Sequence, residues 1–131
     1  MKNRPWWWTA IHPDLTIQLL LIVIYLTVAT IGNFLGLYES IKNQDSTSLY
    51  SSIISILLGI IPAWGLFNLR SWGRYLELGI SGLIVIFFGP VIAFFENIFV
   101  GLGLMIIHGL IVSYLISAKC QKLFVKNNSP A

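Results

Sequence analysis

The residue type most able to do chemistry in this chain is His108, set in the apolar run LGLMIIHGLIVSYLI. An ionisable side chain in such a run is costly to strip of water and is a functional candidate by default. Three chemistries suit it: a proton relay, the axial ligand of a tetrapyrrole, or a neutral histidine held by hydrogen bonds. The adjacent Gly109 would leave room for a flat macrocycle. A haem with two histidine ligands needs a second histidine at membrane depth, and His12 precedes the first apolar run. A chlorophyll magnesium held by His108 alone is the pigment that remains, and the expectation is that no cofactor is bound. A neutral histidine needs a partner, for which Tyr25 and Thr27 stand at similar depth.

Thr27, Thr30 and Asn33 recur every three residues along the first apolar run. Threonine can satisfy its hydroxyl on its own helix backbone. Asn33 cannot do so as easily and is expected to bond another helix. Arg74 and Glu77 are three apart, a spacing that lets opposite charges pair on a helix. With Glu77 read at headgroup level, no acid falls in the central half of a span, which counts against a proton- or cation-coupled exporter. No spacing links a serine and a histidine to an acid within the membrane, so no nucleophile–base–acid set is read. Metal-ligand clusters, phosphate loops and basic nucleic-acid stripes are lacking from the sequence as well, and the expectation is a protein that is not an enzyme. The lone Cys120 excludes an internal disulfide and a CxxC redox pair.

The elements that must position these residues follow from composition. Of 131 residues, 56% are hydrophobic and 10% are charged, and the mean hydropathy is +0.82. Soluble domains carry about 25% charged residues. Disorder is excluded by the apolar content. The sequence therefore describes an integral membrane protein. A helix crossing a hydrocarbon core of about 30 Å needs about 20 apolar residues. Four such runs are predicted, at about 15–37, 49–69, 75–95 and 98–118. Barrel strands would instead alternate over only about 10 positions. Residues 1–14 form a tryptophan-rich interfacial segment, 15–118 the membrane domain and 119–131 a basic tail. The stretch from Tyr38 to Ser48 is the one loop of any size, and the other connections are short enough to make neighbouring helices antiparallel.

Lysines and arginines mark the cytoplasmic side of a membrane protein. Seven of the eight bases (Lys2, Arg4, Arg70, Arg74, Lys119, Lys122 and Lys126) fall on one side and only Lys42 on the other. The predicted fold is thus an all-α, four-helix antiparallel bundle with both termini inside. The first run is too long, and lacks the small-residue cleavage site, for a removable signal peptide.

Helices in lipid associate through small residues that let backbones approach. Ser55, Gly59 and Ala63 line up four residues apart on the second helix, Gly32 and Gly36 on the first, and Gly101, Gly109 and Ser113, with Met105 interrupting, on the fourth. These are expected packing surfaces, within one chain or between subunits. Pro62 and the Gly89-Pro90 pair should each bend a helix, since proline removes a donor and crowds the preceding turn. Trp6, Trp7 and Trp8, beside Lys2 and Arg4, suit the inner headgroup layer, as do Arg70, Trp72 and Arg74. Anionic lipid is the expected counterion for the net charge of +3, with no nucleic-acid partner.

The segment GLFNLRSWGR, Gly65 to Arg74, resembles the G-L-x-x-L-R-x-W-x-R turn of small four-helix bacterial membrane proteins of unknown function. The match covers ten residues between two helices. It implies a four-helix fold and no activity. Small size and small-residue ridges fit an accessory or assembly subunit of a larger membrane complex, with a pigment–protein complex as one host. The alternative is a small channel or transporter acting as a homo-oligomer. Either belongs in a bacterial inner membrane or a related internal membrane.

Overall fold

The computed structural model describes residues 15–128, all helix and connections with no strand among them. Four helical stretches are long and apolar enough to cross a membrane: Ile17–Lys42, Ser46–Phe67, Ser71–Phe95 and Ile98–Ile116. The segment carrying Trp6, Trp7 and Trp8 lies outside the described residues. Packing divides the chain after Leu69 into two compact units.

The first unit pairs α1 (Ile17–Lys42) with α2 (Ser46–Phe67). Thr16 opens α1, its hydroxyl accepting from the Leu19 amide at 3.3 Å. Leu19, Ile22, Leu26 and Thr30 recur every three or four residues and form the buried stripe. Tyr38 to Ser48 was expected as a loop, but only Asn43–Asp45 is non-helical. Two local devices shorten it. The Gln44 amide donates to Ile41 O and the Asp45 amide to Ser40 O, the paired bonds that close a helix when the next residue is left-handed. Gln44 supplies that conformation at φ 55°. Asp45 then caps α2, accepting from the amides of Thr47 and Ser48. This hydrogen bonding, led by the Ser48 hydroxyl, holds the Asp45 carboxyl below its usual 3.8.

The second unit holds α3 (Ser71–Leu83), a π-helical turn (Ile84–Phe88), α4 (Gly89–Phe95), α5 (Ile98–Ile116) and α6 (Ala118–Asn128). Gly89-Pro90, where a bend was expected, directly follows that π turn. The Gly89 amide reaches back five residues to Ile84 O. Widening the helix there relieves the crowding of Pro90 against the turn before it. Asn97 starts α5, accepting from the Phe99 and Val100 amides at 2.9 and 3.2 Å. Ser117 ends it, donating to Tyr114 O at 2.6 Å while accepting from the Cys120 amide. The stretch read as a basic tail is therefore helical to Asn128. It folds back because Cys120 and Phe124, four apart, are buried together. Burial pushes the Cys120 thiol up, against a smaller opposing pull from Arg74.

Candidate functional site

The buried face of α3 is polar. Gly73, Arg74, Glu77 and Ser81 point inward on a helix whose outward residues are largely apolar. Spacings of three and four carry Arg74, Glu77 and Ser81 up one stripe. Two separate uses are made of it.

At the lower end, Arg74 is only 8% exposed. Its Nε donates to the carbonyl of Leu115 at 2.9 Å, in the last turn of α5. The carbonyls of a last turn lack helical acceptor partners, so a guanidinium there satisfies one of them and faces the negative end of the helix dipole. The guanidinium carbon lies 5.1 Å from the Tyr75 ring centre and 6.0 Å from that of Phe124. Arg74 was expected at the lipid headgroups and paired with Glu77. It is instead an internal clasp joining α3, α5 and α6. Arg70 and Trp72 are, by contrast, solvent- or lipid-facing.

One turn further on, Glu77 and Ser81 are both fully buried. The Ser81 hydroxyl donates to Glu77 Oε1 at 2.6 Å. Ser81 Oγ also lies 2.8 Å from Nδ1 of His108, itself 4% exposed on α5. At 1.5 Å of rise per residue, Ser81 and His108 each stand about 15 Å along their spans, half the thickness of the hydrocarbon core. Glu77 Oε2 is buried with no hydrogen-bond partner among the described residues.

An acid, a hydroxyl and an imidazole thus form one chain, which the sequence reading had excluded. Glu77 was placed among headgroups and Ser81 passed unremarked, because the histidine that Ser81 meets, His108, is 27 residues further along the chain. The legible signal was the Arg74, Glu77, Ser81 stripe itself, polar residues three and four apart at the start of an apolar run. Hydrolysis does not suit the geometry. In a nucleophilic triad the acid orients the histidine, whereas here it bonds the serine, and the serine has no exposure to a substrate. Proton transfer along the chain suits it well.

The other singled-out residues divide. In the first unit Tyr25 is half-buried, and Thr27 is exposed with its hydroxyl returned to Val23 O at 2.8 Å. Asn33 is half-buried without an interhelical hydrogen bond among the described residues, contrary to expectation. Gly59 faces Thr30 so closely that a Cβ would collide with the threonine hydroxyl. Gly36 would bring a Cβ within 3.5 Å of Ser52 Oγ. Ser55 is half-buried and Ala63 buried. Gly32 and Gly109 meet nothing within 4 Å, and Ser113 is exposed, so these three pack against no neighbour in the chain as described. On α5 the close approach is made by Gly101 instead, against the Ala93 backbone.

No group of three or more histidine, cysteine or acidic residues could hold a metal ion among the described residues. No family model, curated protein or solved structure matches the chain.

Proposed function

We propose that the chain is a non-catalytic, multi-pass membrane protein that serves as an accessory or assembly subunit of a larger membrane complex. The four spans run antiparallel with both termini cytoplasmic, in a bacterial inner membrane or a related internal one, and anionic headgroups neutralise the basic ends. The observation that carries the reading is the small-residue face of α5. Within the second unit a Cβ at Gly109 would meet nothing within 4 Å, and Ser113, one turn further on the same face, is exposed. Such faces let another helix approach closely in lipid. No cofactor forms part of this reading, and a chlorophyll spectrum in the purified protein would replace it. The test is gentle solubilisation from native membrane followed by native electrophoresis of the wild type and Gly109→Leu. A heteromeric complex that the wild type joins and Gly109→Leu leaves, with the variant still helical and monodisperse, supports the reading. Loss of no partner overturns it.

A second reading, a small transporter working as a homo-oligomer, is favoured by the buried Glu77–Ser81–His108 chain. An equal-subunit oligomer in the same experiment would select it.

A further inference from the structure

We propose that Glu77, Ser81 and His108 form a buried proton relay, loaded at Glu77 Oε2 and passing a proton between α3 and α5 through the Ser81 hydroxyl. The inference stands apart from the choice between subunit and transporter, since either can house such a device.

The geometry supplies each part. Ser81 Oγ is within hydrogen-bond reach of a carboxylate oxygen on one side, at 2.6 Å, and an imidazole nitrogen on the other, at 2.8 Å. A hydroxyl has one proton to give and lone pairs to receive another. Two arrangements of the same atoms follow. In one, His108 Nδ1–H donates to Ser81 Oγ, whose own proton donates to the Glu77 carboxylate. In the other, Glu77 carries a proton on Oε1 and donates it to Ser81 Oγ, whose proton points to an unprotonated Nδ1. Passing from the first to the second moves the Nδ1 proton to Oγ and the Oγ proton to Oε1. The O–H and N–H bonds broken equal the O–H bonds formed, no electrons change hands, and one positive charge is transferred from ring to carboxyl.

The second observation is that, among the described residues, one oxygen of the acid has no hydrogen-bond partner. A fully buried carboxyl oxygen without a partner is rare, because burying an unsatisfied polar atom costs free energy that a water or donor would recover. Glu77 Oε2 is such an atom. A hydronium, or a water carrying its proton, that protonates Oε2 in the second arrangement lets Oε1 release its own proton to Oγ and Oγ its own to Nδ1, so one proton arrives on the acid and one appears on the ring.

The charges around the relay are few. On α3 Arg74 precedes Glu77 by one turn, with its Nε committed to Leu115 O. On α5 His108 is the sole titratable side chain apart from Tyr114. The π turn and α4 carry none. On α6 the buried Cys120 thiol sits on the Arg74 side, while Lys119, Lys122 and Lys126 are exposed.

Isotope-labelled histidine NMR on the full chain in lipid nanodiscs tests this, with His12→Asn removing the other histidine signal. Infrared difference spectra on the same samples follow the Glu77 carboxyl. The wild type should show carboxyl and imidazole bands changing together with pH, as coupled sites do. Glu77→Gln should move the His108 midpoint by about one pH unit. Ser81→Ala should uncouple the two groups, while Ser81→Thr, which keeps the hydroxyl, should retain the coupling. Independent midpoints in the wild type, or a His108 midpoint untouched by Glu77→Gln, would overturn the relay. Should Ser81→Ala fail to fold, the Glu77→Gln result decides alone. A merely structural hydrogen-bond cluster would lose stability in these variants without linking one group's titration to the other's.

Discussion

Replacing Gly59 by alanine puts the tightest contact of the first unit under direct strain. The added Cβ would overlap Thr30 Oγ1, and would lie 3.5 Å from Leu26 O and Thr30 Cβ, both ordinary contacts. The obstacle is thus one atom. That atom is held, because Thr30 is 4% exposed and its hydroxyl donates to Leu26 O at 2.7 Å. To make room, the threonine must rotate and give up this bond, or α1 and α2 must separate. Overpacking of this kind costs about 1–3 kcal/mol, and a hydrogen bond lost inside a membrane protein adds about 0.6 kcal/mol. We expect Gly59→Ala to destabilise the protein by about 2–3 kcal/mol on this basis. Thr30→Ala removes the colliding oxygen together with the donor that needed Leu26 O. In that background the same Gly59→Ala change should cost less than about 0.5 kcal/mol, the level of an uncoupled surface substitution. Unfolding by sodium dodecyl sulfate in mixed micelles, followed by circular dichroism, gives all four corners of the cycle. Gly32→Ala, which meets open space, serves as the neutral control. The reasoning fails if Gly59→Ala costs no more than Gly32→Ala, or if its cost is the same with Thr30 present and absent.

In the second unit, Gly101→Ala should cost more than Gly59→Ala, at least about 3 kcal/mol by the overpacking scale, because its Cβ would meet the backbone of Ala93 rather than a rotatable side chain; the same unfolding assay measures it. Cys120 should resist maleimide in the folded protein at mildly alkaline pH and react fully once denatured, since the thiol is buried and its pKa is raised by burial; fast labelling of the native state would show that the buried face of α6 does not stay packed. Asp45 is capped in its ionised form, with a carboxyl pKa below the unfolded value. Its contribution to the start of α2 is therefore fully present above the usual 3.8 and is lost as pH falls through the lower, folded value. Helicity measured by circular dichroism should show an acid-side loss that Asp45→Asn abolishes, since the amide caps without titrating.

The sequence by itself determined what depends on composition and short-range spacing. Apolar runs of about twenty residues can satisfy their backbone in lipid only as helices or closed barrels, and unbroken runs choose helices, so four span-length helices were legible. The Gly59 ridge was legible for a similar reason, because a helix brings residues four apart onto one face whatever it packs against. Local chemistry was underread: Asp45 as a cap and Gln44 as a left-handed stop turned most of a supposed loop into helix. Tertiary structure alone decided where the charged and polar residues of α3 point. Charge pairing three residues apart favoured Arg74 with Glu77, and a headgroup position favoured leaving both outside. Burial reverses this, since each group, once desolvated, must take the best partner within reach. For Arg74 that partner is the carbonyl end of α5, and for Glu77 it is a serine already shared with His108. Leu115 and His108 stand 41 and 27 residues along the chain from Arg74 and Ser81, a separation that spacing rules of three and four residues cannot bridge.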